Sequence, residues 1–169
     1  IMTLIKGISG IRGIVNQGLN KTIISSYAFA FSKIQKHGKI LIARDARPHG
    51  KKFLENIEYV FNNFNIEFDN YDIIPTPTAQ FLISQSKYVG GIVITASHNP
   101  IDWNGMKFID EDGCFLSECK VEKLNNNYEE INITSKNQIG IARDISIQGI
   151  REHINHTCNL SFIDKNLIL

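Results

Sequence analysis

Segments with helical periodicity alternate along this chain with short apolar runs, and this alternation restricts the fold more than any other feature. Residues 21–36 and 50–63 repeat apolar side chains three and four positions apart, as amphipathic helices do. Three runs have the length and apolar composition of buried strands: Lys39–Ala43, Ile92–Thr95 and Met106–Ile109. Strands that alternate with helices predict an α/β fold, here a mixed β-sheet sandwiched between helices.

The regular pattern decays toward the end of the chain. Residues 133–149 are polar with isolated isoleucines, and helical spacing resumes near Gly149. We therefore expect one domain over residues 1–132, a linker over 133–149, and the truncated start of a second domain over 150–169.

The composition excludes several classes of protein. Apolar residues make up 43% and charged residues 21% of the chain, which excludes a disordered or fibrous protein. No run of apolar residues is long enough for a membrane span, so no membrane partner is expected. The 3 cysteines lack metal-ligand spacing, which favours a reduced, cytoplasmic setting.

Positive charge is concentrated in the first 60 residues, which carry +7, whereas residues 61–169 carry −6. A basic region favours an anionic partner, although a solvated surface is the alternative. The one tight basic cluster has no interleaved aromatic residues and no nucleic-acid-binding motif; it consists of Arg44, Arg47, Lys51 and Lys52. A small phosphorylated ligand therefore suits the chain better than a nucleic acid.

The segment Gly90–Pro100 is the strongest candidate for chemistry, because a buried strand there runs into a loop that presents Ser97, His98 and Asn99. Ligands of open α/β sheets gather where loops leave the strand ends. Ser97 is a nucleophile, a phosphate acceptor or only a turn residue. A serine hydrolase is disfavoured, since neighbouring side chains on an extended chain point to opposite sides and no Gly-x-Ser-x-Gly elbow is present. His98 is more plausible as a hydrogen-bond donor to a bound anion.

Two further segments suit a phosphorylated ligand. Gly7–Gly13 contains three glycines, which let backbone N–H groups approach an oxyanion, and Arg12 lies among them. Lys107 begins a predicted strand shortly after Ser97. A lysine near other cations can shuttle a proton, although a solvated lysine at a strand edge is the commoner case.

Five short motifs follow one another along the chain. They are Ser9-Gly-Ile-Arg-Gly13, Ala43-Arg-Asp-Ala-Arg-Pro48, Pro75-Thr-Pro77, Thr95-Ala-Ser-His-Asn-Pro100 and Trp103-Asn-Gly-Met-Lys107. Together they resemble the first domain of the α-D-phosphohexomutases, the family of phosphoglucomutase, phosphomannomutase and phosphoglucosamine mutase. The resemblance covers about residues 3–130. One departure is Ile8, where the family usually has threonine.

The resemblance implies a role for each matched residue. Ser97 would be the phosphoserine that donates and accepts the phosphoryl group, and its phosphate would ligate Mg²⁺. Arg12 and Lys107 would flank the group in transfer, with Lys107 as the proton shuttle for the sugar hydroxyl. His98 would be a further catalytic residue, and Ser9 and Asn99 would bind the substrate or its phosphate. The motif arginines, Arg44 and Arg47, are interpreted mainly as structural ion-pair partners near the site.

The activity that the resemblance implies is interconversion of hexose 1-phosphate and hexose 6-phosphate through a bisphosphorylated sugar. Mg²⁺ would be the cofactor and a hexose 1,6-bisphosphate the activator. The family's metal loop, Asp-Gly-Asp-x-Asp-Arg, lies in its second domain and does not occur in this sequence. The remaining Mg²⁺ ligands are therefore expected in the missing domain II. The missing domains II–IV of the same polypeptide are the expected partners, and this chain alone is expected to have negligible mutase activity. The alternative is a non-catalytic phosphosugar-binding or regulatory domain of the same fold.

Overall fold

The computed structural model describes residues 4–131 and 145–161. Among these residues it contains six strands and five α-helices. The strands are β1 (Ile5–Gly7), β2 (Gly10–Ile14), β3 (Ile40–Arg44), β4 (Phe68–Ile73), β5 (Gly90–Ile94) and β6 (Trp103–Asp110). The helices are α1 (Lys21–Ile34), α2 (Gly50–Asn63), α3 (Thr76–Leu82), α4 (Glu118–Asn126) and α5 (Ser146–Cys158), and a π-helical turn (Ile83–Lys87) continues α3.

The six described strands form one mixed sheet in the order β1-β2-β6-β5-β3-β4. The pairs of β3 with β4 and with β5 are parallel, whereas β6 pairs antiparallel with both β5 and β2. The short β1 extends the sheet as an antiparallel hairpin with β2. The expected α/β class with a mixed sheet is therefore confirmed.

Helices cover both faces of the sheet. One apolar core joins α1, α2 and α4 to the sheet, and a second joins α3 and α5 to its other face. Side chains along β6 alternate between the two faces of the sheet, so this strand contributes to both cores. Met106 and Phe108 belong to the first core, and Ile109 belongs to the second. This face alternation leaves the side chain of Lys107 on the α3 side of the sheet.

The β1–β2 hairpin is the part of the fold that the sequence pattern did not predict. Its segment contains three glycines, which are depleted in strands, and so it offers no strand-like run of apolar residues. Close backbone approach explains Gly10: a Cβ atom on this residue would lie 1.9 Å from the carbonyl oxygen of Met106 on β6. Gly10 also has a φ of +115°, which side chains rarely adopt.

Helix α5 extends the helix expected near Gly149 by a few residues at its start. Gly149 lies against Tyr71, where an added Cβ would come within 2.7 Å of the ring, and the His153 ring stacks on Phe81 with centroids 4.9 Å apart. Residues 132–144, which include most of the predicted linker, and residues 162–169 lie outside the described residues. The proposed division of the chain into domains stays a prediction. None of the described helices has the length and apolar content needed to cross a membrane.

A buried carboxyl on α2 makes the stability of this fold depend on pH. Glu58 is 5% exposed, and its Oε1 accepts a hydrogen bond from Asn70 Nδ2 at 2.7 Å. Burial raises the pKa of Glu58 above its ordinary value of 4.5, against the opposing effect of the Asn70 hydrogen bond. Between the unfolded and folded pKa values the folded chain binds more protons at Glu58 than the unfolded chain. The free energy of unfolding therefore falls as the pH rises through this window.

The Glu58→Gln variant is expected to lose less stability than the wild type as the pH is raised from 4.5 to neutral. Glutamine keeps an oxygen that can accept from Asn70 but carries no charge to desolvate. Denaturant unfolding at several pH values measures the effect, with the exposed Glu67→Gln as the matched control. Equal pH profiles for the wild type and Glu58→Gln would contradict this prediction.

Candidate active site

A cleft of about 240 Å³ opens where β5 ends and beside the β1–β2 hairpin. Five of the six predicted site residues line it: Ser9, Arg12, Ser97, His98 and Lys107. They come from three separate parts of the sequence, which the sheet order β2-β6-β5 brings side by side. The sixth, Asn99, lines a neighbouring cleft that also includes Ser97 and Arg47. The remaining lining residues are Ile5, Gly7, Gly10, Ile11, Thr95 and Ala96.

Ser97 has an unusual backbone conformation. Its φ is 57°, in the left-handed region that non-glycine residues rarely occupy. A tight turn holds it there: the N–H of Ser97 donates to Thr95 Oγ1 at 3.0 Å, and the N–H of Asn99 donates to the carbonyl oxygen of Ala96 at 3.2 Å. The Ser97 side chain is exposed at the mouth of the cleft. Strained residues of this kind concentrate at functional sites.

The turn also corrects the expected relation between Ser97 and His98. The two side chains were expected to point to opposite sides of an extended chain, but Ser97 Oγ lies 3.4 Å from His98 Nδ1. The expectation is wrong because the backbone at Ser97 is left-handed rather than extended. At 3.4 Å the contact is a weak hydrogen bond. No further hydrogen bond to the His98 ring is found in the described parts of the chain, so nothing there orients His98 as the general base of a hydrolase.

Arg12 and Lys107 place positive charge on two sides of the Ser97 loop. Arg12 lies on β2 directly opposite Gly105 of β6, and a Cβ on Gly105 would approach the Arg12 Cβ and the Thr95 carbonyl oxygen to 3.0 Å each. Lys107 is half-buried on β6, with its Nζ 4.8 Å from the centroid of the Phe115 ring. A cation over an aromatic face is attracted by the ring, which restrains the lysine side chain.

The described lining of the cleft includes no acidic residue. Two basic side chains, a serine hydroxyl and a histidine ring therefore define its chemistry. A phosphate group suits this environment, because the cations compensate its charge and the hydroxyl and ring N–H groups can hydrogen-bond to its oxygens.

The Asn99 side chain forms a hydrogen bond within the Ser97 loop. Its Nδ2 donates to the carbonyl oxygen of Ala96 at 2.7 Å, and its neighbours there include Asp45 and Arg47. Its predicted role in phosphate binding stays a prediction.

The two motif arginines form the expected ion pairs, Arg44 with Asp72 and Arg47 with Asp45. Arg47 also does something that the sequence pattern did not indicate: its guanidinium donates to backbone carbonyls of the Ser97 loop. In the sequence, only the Ala43–Pro48 motif indicated that Arg47 lies near the site. The motif did not reveal which carbonyl groups Arg47 binds.

The residues of the cleft fit a shared rather than a complete magnesium site. A phosphate on Ser97 would offer oxygen ligands, which Mg²⁺ prefers. Within residues 4–131 and 145–161 no group of three or more His, Cys, Asp or Glu side chains could hold a metal ion. Ser97, through its phosphate, could therefore supply part of a site that needs further ligands from elsewhere.

Comparison with known proteins agrees with this geometry. Residues 3–135 match the family described as phosphoglucomutase/phosphomannomutase, alpha/beta/alpha domain I. The chain is 37% identical over 120 residues to a phosphoglucosamine/phosphogalactosamine mutase of Sulfurisphaera tokodaii, covering 70% of this chain and 26% of that protein. It is 39% identical over 137 residues to a phosphoglucosamine mutase of Prochlorococcus marinus subsp. pastoris, covering 80% of this chain and 29% of that protein.

Solved structures show the same fold. A Thermus thermophilus protein, assigned as a phosphomannomutase, superposes with a TM-score of 0.71 at 22% identity and covers 76% of this chain and 31% of its own. A phosphoglucomutase/phosphomannomutase family protein of Burkholderia thailandensis gives a TM-score of 0.61 at 23% identity, covering 72% and 30%. The chain thus spans less than a third of the length of these relatives. It belongs to the phosphoglucomutase/phosphomannomutase family and contains that family's α/β/α domain I.

Proposed function

We propose that this chain is the phosphoserine-bearing domain of a phosphohexomutase, which interconverts hexose 1-phosphate and hexose 6-phosphate through a bisphosphorylated sugar. One observation carries the proposal: the exposed Ser97 hydroxyl shares a cleft with Arg12 and Lys107, and none of the described residues that line this cleft is acidic. Phosphoryl transfer depends on positioning and positive charge, which this arrangement supplies.

In the forward step a hydroxyl of the bound sugar monophosphate attacks the phosphorus of phosphorylated Ser97. The new bond joins the sugar oxygen to phosphorus, and the bond between phosphorus and Ser97 Oγ breaks. Lys107, as the neutral amine, takes up the proton of the attacking hydroxyl and passes it to Ser97 Oγ, which leaves as the hydroxyl. Arg12 compensates the charge on the phosphoryl oxygens. The bisphosphorylated sugar then turns over and returns its other phosphate to Ser97 Oγ. Mg²⁺ bound to the phosphate would neutralise further negative charge.

The remainder of the machinery belongs to other domains of the same polypeptide, since the relatives are more than three times as long as the region they share with this chain. This chain alone is therefore expected to show negligible mutase turnover. Relatives at 35% to 39% identity carry the name phosphoglucosamine mutase, which favours a glucosamine phosphate as the substrate.

The proposal is tested by incubating the full-length polypeptide with a hexose 1,6-bisphosphate and Mg²⁺, followed by intact mass measurement and peptide mapping. We expect one phosphate, located on Ser97. A phosphate on Ser9, the other serine in the described lining of the cleft, would contradict the assignment of the acceptor. Binding of hexose phosphates without any phosphorylation would instead support a non-catalytic phosphosugar-binding domain.

A further inference from the structure

We propose that Arg47 is a positioning residue for phosphoryl transfer, which holds the Ser97 loop in the conformation that presents the hydroxyl to the cleft. The inference rests on the proposed function of Ser97. Arg47 does not line the cleft itself. Its guanidinium donates to the Ser97 carbonyl oxygen, and Arg47 lines a neighbouring cleft together with Ser97, so we expect Arg47 to act on the reaction through the Ser97 loop.

The Arg47 guanidinium donates hydrogen bonds to backbone carbonyl groups of the loop that follows β5 and of Trp103, the first residue of β6. Nη2 donates to the carbonyl oxygens of Ser97 at 2.8 Å and Asn99 at 2.6 Å. Nη1 donates to those of Pro100 at 2.6 Å and Trp103 at 3.1 Å. Four carbonyls turned toward one cation would repel each other without it, and their direction determines the path of the loop backbone.

The guanidinium is itself held in place. Its Nε donates to Asp45 Oδ2 at 3.2 Å, and the backbone N–H of Arg47 donates to Asp45 Oδ1 at 3.0 Å. The backbone N–H of Asp45 donates in turn to the carbonyl oxygen of Ile94, the last residue of β5, at 2.9 Å. The Arg47 side chain is 13% exposed, so solvent weakens these contacts little. Asp45 and Arg47 therefore tie the loop to the end of the rigid strand from which it emerges.

This clamp explains why Ser97 keeps a strained conformation. A non-glycine residue with a φ of 57° is disfavoured unless its surroundings impose the geometry. Arg47 binds the Ser97 carbonyl oxygen, while Ser97 also lines the cleft with Arg12 and Lys107. Losing the clamp would let the backbone at Ser97 relax and move Oγ away from the position that transfer requires.

Arginine is required for this role rather than any cation. Its planar guanidinium offers five N–H donors in a fixed fork, whereas a lysine amine offers three donors from one point. Lysine at position 47 could keep the ion pair with Asp45 but could not reach all four carbonyls. The matched control is Arg44, which belongs to the same motif and pairs with Asp72 but makes no hydrogen bond to the Ser97 loop within the described part of the chain.

The experiment compares Arg47→Ala, Arg47→Lys and Arg44→Lys in the full-length polypeptide. Each protein is phosphorylated with a hexose 1,6-bisphosphate, and transfer from Ser97 to a hexose 1-phosphate is followed in a single turnover. Misplacement of a reacting group by about 1 Å costs about 100-fold in rate. We therefore expect the transfer rate constant to fall about 100-fold in Arg47→Ala and about tenfold in Arg47→Lys. Arg44→Lys should stay within about twofold of the wild type.

The single-turnover measurement separates positioning from fold stability. A variant that is only partly folded lowers the amplitude of the transfer phase but leaves its rate constant unchanged. Added guanidinium ion at low concentration is expected to raise the rate constant of Arg47→Ala and not that of the wild type. If Arg47→Ala does not fold, Arg47→Lys supplies the same comparison.

Two outcomes would overturn the inference, and they have different consequences for the proposed function. If wild-type Ser97 is phosphorylated and both Arg47 variants transfer with the wild-type rate constant, the positioning role is wrong and the proposed function stands. If wild-type Ser97 takes no phosphate, the proposed function fails first, and the inference that rests on it fails too.

Discussion

The Ser97→Gly variant of the full-length polypeptide is expected to lose mutase activity entirely while keeping the stability of the wild type. Removing Oγ removes the atom that carries the phosphoryl group, so no residual transfer through this position is possible. Glycine adopts a φ of 57° without the steric penalty of a Cβ atom, about 1 kcal/mol for other residues. Ser97→Ala should be equally inactive but less stable than Ser97→Gly by about 1 kcal/mol.

A coupled assay of hexose phosphate interconversion measures the activity, and denaturant unfolding measures the stability of the two variants. The pair matters because a glycine variant that is fully folded and inactive cannot owe its inactivity to unfolding. Turnover by either variant would contradict the assignment of Ser97 as the phosphoryl carrier. An alanine variant more stable than the glycine variant would show that the left-handed backbone is not maintained at this position.

Gly10→Ala is expected to destabilise this chain by about 3 kcal/mol, because it combines a disfavoured backbone conformation with a steric clash. Gly10 has a φ of +115°, and an added Cβ would lie 1.9 Å from the carbonyl oxygen of Met106. The obstructing atom belongs to the backbone of the neighbouring strand, so no change of side-chain rotamer can relieve the contact. The β1–β2 hairpin would have to move away from β6, separating Arg12 from Lys107.

Gly7→Ala is the matched control for Gly10→Ala, since it adds the same methyl group to the same hairpin. No atom of the described residues lies within 4 Å of a Cβ built on Gly7. Its free energy of unfolding is therefore expected to stay within about 0.5 kcal/mol of the wild type. Similar losses in the two variants, measured by denaturant unfolding, would mean that close strand packing does not explain Gly10.

Local patterns predicted most of the secondary structure. The helix expected over residues 50–63 occurs with those bounds, and α1 covers most of the helix expected over residues 21–36. The hairpin was not predicted, because its strands are stabilised by pairing rather than by their own composition. β2 pairs with β6, with Ile11 and Met106 more than 90 residues apart, and β1 pairs with β2. Strand preference reflects such neighbours more than the residues themselves.

The candidate site was predicted through its motifs, not through local periodicity. The six predicted site residues come from three of the five motifs. Five of them line one cleft, and Asn99 lines a neighbouring one. Sequence reasoning misjudged how Ser97 and His98 are oriented, because it assumed an extended backbone. The left-handed turn that brings Ser97 Oγ within 3.4 Å of His98 Nδ1 depends on contacts outside the motif.

The sequence by itself determined the α/β class and which residue types could handle a phosphate, because hydrophobic periodicity and short motifs are properties of neighbouring residues. Only the tertiary structure decided which way Ser97 faces and what Arg47 does. The guanidinium of Arg47 meets carbonyl groups 50 to 56 residues further along the chain. Backbone carbonyls are present at every residue, so no sequence pattern marks the four that one arginine will reach.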